Sequence, residues 1–181
     1  GLPRWQRFDA ATPLRDGCDL PYSLSDCCTR SHMNVLLNFS ADAAVREDQW
    51  VLVLEDDVAL HPSVPPHLLG DVITAGLTQA SRVQSPFMYL GLCSPNCTGR
   101  EQTLATARGA SVSFRSLCGG FCTHAYAVQK FLAPRIPEFL RQMEGKQRTI
   151  DQAFFRMARA LNMSLLGSAL KSRDRRSRGS V

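Results

Sequence analysis

Long apolar runs are missing from this sequence, and so is a recognisable targeting segment. Its uninterrupted apolar stretches are only a few residues long, as at residues 50–54, whereas a helix that spans a bilayer needs about 20 apolar residues. The chain begins at Gly1 rather than at a methionine, and no signal peptide is visible. We therefore expect membrane association only through segments outside this chain.

A strong charge of one sign is also missing from most of the chain. The formal net charge is +5, but residues 171–181 hold five basic residues against one acidic residue. The body, residues 1–170, is therefore nearly neutral, and we expect no nucleic-acid partner for it. The basic, serine-containing end predicts a disordered, solvated tail, and contact with RNA, phosphate or a membrane surface is the alternative.

Cysteine, in contrast, is abundant. The chain has seven cysteines, and N-x-Ser/Thr sequons begin at Asn38, Asn96 and Asn162. Together they predict an oxidising compartment of the secretory pathway, the lumen of the endoplasmic reticulum or Golgi, and a glycoprotein with disulfides. The odd number of cysteines leaves at least one without a partner in this chain.

Four of these cysteines form two pairs with the same spacing, Cys93-x3-Cys97 and Cys118-x3-Cys122. Four thiolates at such spacing are one way to bind zinc. The sequon that overlaps Cys97 favours disulfides between the two pairs instead, and their connectivity stays open. Such bridges would close loops of 20 to 30 residues and stabilise the fold by roughly 3 kcal/mol.

The pattern of apolar residues predicts one α/β domain over residues 1–170. We expect a helix capped by Ser31, a helix opened by the prolines at 65–66, and helices over 129–143 and 150–162. The run at 50–54 is typical of a central strand covered on both faces. Further strands are expected over 87–92, 111–114 and 121–128 and at 165–166, with a long polar loop over 93–120. Because strands alternate with helices, we predict a mixed, mainly parallel sheet flanked by helices.

Three carboxylates directly follow the apolar run, at Glu55, Asp56 and Asp57. Side chains alternate along a strand, so Glu55 and Asp57 are expected on one side and Asp56 on the other. Two carboxylates placed in this way suit a hard cation such as Mn²⁺ or Mg²⁺, which also takes phosphate oxygens as ligands. The metal would offset the repulsion within the triplet and stabilise a leaving diphosphate. A solvated acidic turn is the alternative.

Five segments, in order along the chain, resemble glycosyltransferase family 25, which holds bacterial lipooligosaccharide galactosyltransferases and collagen galactosyltransferases. Residues 50–58 (WVLVLEDDV) are similar to its LILEDDV strand, and residues 28–32 (CTRSH) to its GCxxSH motif. Residues 88–91 (MYLG), 123–128 (THAYAV) and 150–151 (ID) resemble its ILYLG, THAYxIS and PID segments. The ordered set is more specific than the acidic triplet alone.

The resemblance implies a Rossmann-like GT-A fold and an inverting hexosyltransferase, with UDP-galactose or a related UDP-sugar as donor and Mn²⁺ as metal. The acceptor would be a hydroxyl of a glycan or a protein. Glu55 and Asp57 would bind the metal, with Asp56 at the diphosphate. Ser31 and His32 would lie near the donor. The family's first strand, INLxRxxxR, has no counterpart before residue 8, so we expect a partial domain.

An inverting transferase also needs a general base for the acceptor hydroxyl. Asp151 is the first choice and His124 the second, although a helix N-terminal acid and a core histidine are the structural alternatives. The missing strand suggests a second hypothesis, a catalytically inactive, transferase-like binding module. The paired cysteines and the basic tail suggest a third, a zinc-stabilised nucleic-acid-binding protein.

Overall fold

The strands of this protein form one six-stranded sheet in the order β1-β5-β2-β6-β4-β3. The computed structural model describes residues 6–12, 16, 18, 23–56, 58, 64–105, 111–116, 118–142, 149–161 and 166–168. The helices are α1 (Ser23–Ala41), α2 (Leu69–Arg82), α3 (Arg135–Gln142) and α4 (Ile150–Ala160), with a short 3₁₀ helix (Pro66–Leu68) before α2. The strands are β1 (Trp50–Leu54), β2 (Phe87–Cys97), β3 (Glu101–Ala105), β4 (Ser111–Arg115), β5 (Cys118–Gln129) and β6 (Leu166–Ser168).

The molecule is an α/β protein, but the prediction of a mainly parallel, Rossmann-like sheet is wrong. β5 pairs antiparallel with both β1 and β2, and β4 pairs antiparallel with β3 and β6. Only β2 and β6 pair in parallel in the described sheet. The strand expected over 111–114 is confirmed as β4, whereas the rest of the loop expected over 93–120 also contributes strands, at the end of β2, in β3 and at the start of β5. The described residues between β2 and β5 contain strands and no helix, and antiparallel strands such as these two need no helical crossover.

β1 lies at an end of the described sheet, so its prediction as a central strand is also wrong. Its pattern was nevertheless informative, because side chains on both of its faces pack against the two core clusters, although only Val53 is buried. Val51 and Val53 pack into the core under α1, α3 and α4, whereas Trp50 and Leu52 pack on the side of α2. A continuous apolar run therefore indicates that a strand packs on both faces, but it does not indicate how many strands lie beside it.

Helices pack on both faces of the sheet, because successive apolar side chains of β2 and β5 point to opposite faces. Phe87, Tyr89 and Tyr126 point towards α4, where Phe154 completes a buried aromatic cluster with ring centroids 4.6–6.3 Å apart. The opposite face presents the small side chains of Ala125 and Ala127 and receives α2. Aromatic pairs at these separations stabilise a core beyond their buried area.

Helix α2 approaches the sheet closely at Gly76. A Cβ atom at this position would lie 2.5 Å from the Met88 sulfur and 2.9 Å from a ring carbon of Phe114. In the same helix a Cβ at Gly70 would meet nothing within 4 Å. The small residue at 76 is therefore needed for packing, and the one at 70 is not.

Two of the helix boundaries differ from the sequence prediction. α1 begins at Ser23 rather than at a cap by Ser31, which lies inside the helix and donates its hydroxyl to the Cys27 carbonyl at 2.8 Å. A disulfide between Cys18 and Cys27 ties the segment before α1 to the helix. Prolines 134 and 137 are expected to break the helix over 129–143 into turns; the segment up to Pro134 is a turn, whereas Pro137 lies inside α3 and does not break it. The helix expected over 150–162 is confirmed as α4, and a last short strand is confirmed, at Leu166–Ser168 rather than at 165–166.

Lys130 fixes the end of β5 to the segment that precedes β1. Its ammonium group donates to the Asp42 carbonyl at 2.9 Å and to the Val45 carbonyl at 2.7 Å, and its side chain is only 9% exposed. The Glu47 carboxylate lies 3.6 Å away and balances the charge. The Asp42 carbonyl also accepts the Val45 N–H at 3.1 Å, so this buried lysine adds a second donor there and supplies one to the Val45 carbonyl.

Candidate functional site

Glu55 follows β1 directly, and three side chains bind its carboxylate. Its N–H donates to the His124 carbonyl at 2.9 Å, which continues the β1–β5 ladder by one residue. Oε1 lies 2.9 Å from His32 Nε2 and accepts the Thr123 hydroxyl at 2.8 Å. Oε2 lies 2.9 Å from His124 Nδ1. Three of roughly four acceptor positions of the carboxylate are thus used.

His32 reaches Glu55 from helix α1, and the other nitrogen of its ring contacts a second side chain. The residue is only 5% exposed, and its Nδ1 lies 3.1 Å from the hydroxyl of Tyr126. Because a carboxylate only accepts hydrogen bonds, Nε2 carries a proton in this arrangement. In the neutral ring Nδ1 then accepts from Tyr126. We refer to Glu55, His32, Thr123, His124 and Tyr126 as the Glu55 cluster.

Thr123 and His124 are neighbours in β5, yet both reach the same carboxylate. In a regular strand their side chains would point to opposite faces of the sheet. The ladder between β2 and β5 has register shifts from Tyr89 onward, beside these two residues. Irregularities of this kind redirect side chains and are common next to active sites. The break in register therefore accompanies the convergence of both side chains on Glu55.

The Glu55 carboxylate is held in its ionised form. Burial raises its pKa, but hydrogen bonds from His32 and Thr123, together with the charges of His32 and His124, outweigh burial and lower the pKa to about 2. A negative charge that is only partly exposed and bound on three sides is a fixed electrostatic feature of this part of the molecule.

A cleft of about 250 Å³ opens beside the Glu55 cluster. Helix α1, the end of β1, strand β5 and the start of α4 all contribute to its wall. The lining residues are Cys28, Thr29, Glu55, Thr123, His124, Thr149, Ile150 and Asp151. Segments that are far apart in the sequence, including 28–32, 123–128 and 150–151, therefore meet at one place.

The start of α4 brings polar groups to this cleft. Asp151 lies in the first turn, and its Oδ1 accepts the backbone N–H of Gln152 at 2.8 Å. The hydroxyl of Thr149, the residue before the helix, is buried and has no hydrogen-bond partner within the described part of the chain. The Tyr89 hydroxyl also lacks a hydrogen-bond partner among the described residues, but it does not line the cleft; burial together with the charge of Asp151 raises its pKa. The Thr149 hydroxyl, which belongs to a residue that lines the cleft, is a donor that a ligand could satisfy.

The remaining predicted residues have different positions. Ser31 binds the Cys27 carbonyl and accepts the N–H of Ala11 at 2.8 Å, and it does not line the cleft. Asp56 is exposed in a turn after Glu55. Asp57 and residues 171–181 lie outside the described residues. The roles assigned to Ser31, Asp56 and Asp57 therefore stay predictions.

The Glu55 cluster leaves limited room for a manganese ion. One acceptor position of Glu55, on Oε2, is not used by the cluster. Glu55 therefore fits Mn²⁺ as a ligand through one oxygen, with the other ligands expected from Asp57 and from phosphate.

Because Cys97 is in a disulfide, the four-thiolate zinc site proposed for the paired cysteines lacks one of its ligands.

No model of a known protein family and no curated protein matches this sequence. The described helices also lack the length and hydropathy needed to cross a membrane. The site must therefore be interpreted from its own geometry. Sequence reasoning missed the participation of Thr123, Tyr126, Cys28 and Thr149. The first three belong to segments that the family resemblance had marked, whereas no sequence signal indicated Thr149.

Proposed function

We propose that this chain is the donor-binding part of a glycosyltransferase that moves a hexose from a UDP-sugar to a hydroxyl of a glycan or protein. The supporting observation is that Glu55, His124 and Asp151 line one cleft, with His32 behind Glu55. Glu55, His32, His124 and Asp151 were picked out from separate segments of the sequence, and their meeting at one place is not expected by chance.

We assign each residue a role that is compatible with its contacts. Glu55 is a fixed negative charge at the base of the cleft, and His124 links it to the cleft surface. Asp151, which also lines the cleft, takes the proton of the acceptor hydroxyl as general base. A manganese ion held by Glu55 and Asp57 would offset charge on the leaving diphosphate. The Thr149 hydroxyl is a candidate donor to the bound substrate.

The disulfides support a location in an oxidising compartment, which we propose is the lumen of the secretory pathway. Cys18 and Cys27 form a disulfide, and Cys97 is also disulfide-bonded. Structural disulfides persist in such compartments and are rare in a reducing cytosol. The nucleotide sugars used there are the proposed donors.

The experiment that tests this function measures UDP-sugar binding by calorimetry and UDP release, with Mn²⁺ and mixed glycan and hydroxylysine-containing acceptors. We expect Asp151→Asn to lower turnover about 10²- to 10⁴-fold while donor binding is retained. Glu138→Gln, an exposed carboxylate change on α3, is the matched control and should leave turnover unchanged. Absence of both binding and turnover in the unmodified chain would refute the proposal.

A binding module without catalysis is the second candidate. The observation that favours it is that most of the acceptor capacity of Glu55 is used inside the protein, as in a purely structural site. Donor binding with no UDP release under any acceptor condition would select this candidate over the enzyme.

A further inference from the structure

Within the described part of the chain, one group of side chains offers three different metal-ligating atoms at close range. The Cys28 sulfur, a ring nitrogen of His32 and a carboxylate oxygen of Glu55 lie within 4.8 Å of one another. Cys28 and His32 are four residues apart in α1, so they occupy the same face of the helix. Glu55 reaches them from the end of β1.

The geometry points to a zinc site at Cys28, His32 and Glu55, with a fourth coordination position open to the cleft. Zinc bonds of about 2.0–2.3 Å place neighbouring ligand atoms roughly 3.3–3.8 Å apart in a tetrahedron. The His32 Nε2 and Glu55 Oε1 atoms are 2.9 Å apart. They need to separate by well under about 1 Å for the ion to replace their hydrogen bond.

The chemistry of the three donors selects the metal. A thiolate and an imidazole favour zinc over Mn²⁺ or Mg²⁺, which prefer oxygen-only ligands. Three protein ligands with one open position are typical of zinc sites that bind water or substrate. Because Cys28 and Glu55 both line the cleft, the fourth ligand would come from the cleft side. On binding, the thiol proton of Cys28 passes to solvent.

The surroundings of the three donors supply the contacts that a metal site requires. When Nε2 of His32 binds the ion, the ring proton moves to Nδ1, which then donates to the Tyr126 hydroxyl 3.1 Å away. Thr123 already donates to Oε1 of Glu55, and His124 lies against Oε2. Such partners orient ligating side chains and contribute to affinity. Zinc binding here does not depend on the proposed transferase activity.

The test uses the purified chain with its disulfides intact, titrated with Zn²⁺ by calorimetry and with Co²⁺ by absorption spectroscopy. We expect one equivalent of metal and a thiolate-to-cobalt charge-transfer band. Cys28→Ser, a one-atom change in an exposed residue, should abolish the band and weaken zinc binding by more than the roughly 10- to 100-fold that loss of an outer contact costs. Tyr126→Phe should weaken binding about 10-fold and leave the band in place.

Two controls make the result decisive. His67→Gln alters an exposed histidine in the 3₁₀ helix and should leave the affinity unchanged, whereas His32→Gln should reduce it like Cys28→Ser. Circular dichroism checks that each variant is folded. Zinc binding by Cys28→Ser that equals the unmodified chain, with the same cobalt spectrum, would overturn the proposal. Failure of the unmodified chain to bind zinc at millimolar concentrations would do so as well.

Discussion

Protonation of Glu55 should make the fold lose stability in acid. Folding lowers the pKa of this carboxyl from its ordinary value of 4.5 to about 2. A difference of that size corresponds to about 3 kcal/mol. The Glu55 side chain keeps 23% of its exposure, so solvent screening reduces the expected contribution to about 2 kcal/mol.

The sign follows from the direction of this pKa change. Between the two pKa values the unfolded chain binds the proton more readily than the folded chain does. The contribution of Glu55 is therefore fully present above the unfolded pKa of 4.5 and disappears as the pH falls towards about 2. Glu55→Gln removes the titrating group and should flatten this part of the curve.

The assay is urea-induced unfolding, followed by tryptophan fluorescence at closely spaced pH values between about 5 and 2. The difference in unfolding free energy between the unmodified chain and Glu55→Gln should shrink by about 2 kcal/mol across that range. Glu101→Gln is the matched control, because Glu101 also has a lowered pKa, caused by its hydrogen bond from Arg115, but is exposed. The difference in unfolding free energy between the unmodified chain and Glu101→Gln should change much less over the same pH range. A constant difference for Glu55→Gln would refute the reasoning.

Three further changes test the packing of the fold by chemical denaturation. Gly76→Ala should destabilise by about 1–3 kcal/mol through overpacking, whereas Gly70→Ala in the same helix should be neutral or stabilising by up to about 1 kcal/mol; equal effects would contradict the close approach of α2. Phe154→Ala should cost about 3–5 kcal/mol because it opens a cavity among buried rings, and a loss below that range would mean that the aromatic cluster collapses around it. Lys130→Met should cost about 1–3 kcal/mol because the Val45 carbonyl loses its donor and the Asp42 carbonyl loses one of two, and an unchanged denaturation midpoint would show that water replaces the ammonium group.

Much of the local structure was accessible from the sequence because it depends on local pattern. The apolar run at residues 50–54 is a strand, and the prolines at 65–66 precede a helix. Asp151 lies in the first turn of α4 as expected. In each case apolar spacing or backbone chemistry within a few residues determines the outcome.

The relative direction of the strands could not be predicted from the sequence in the same way. Whether a strand runs parallel or antiparallel to its neighbour depends on what connects them, and residues 93–120 look polar and irregular in the sequence. In the structure they supply the end of β2, all of β3 and β4 and the start of β5. Without a helix in that connection, the mainly parallel arrangement does not form.

The candidate site was predictable as a list of residues but not as an arrangement. Sequence reasoning assigned Glu55 to metal binding, and the structure adds that its carboxylate is bound by His32, Thr123 and His124. Thr123 and His124 contact Glu55 although they lie 68 and 69 positions further along the chain. Thr123 also contacts His32, from which it is 91 positions away. No periodicity within a short window of sequence reports contacts across such distances.

The pairing of β1 with β5 also constrains how the chain is synthesised. The register joins Trp50 to Gln129 and Leu54 to Ala125, so β1 leaves the ribosome long before its partner exists. At about 5–20 residues per second, the delay is roughly 4–15 s. During that time five apolar residues with unsatisfied backbone groups are open to mispairing with other nascent chains. Production of this protein should therefore benefit from chaperones and suffer when translation stalls between the two strands.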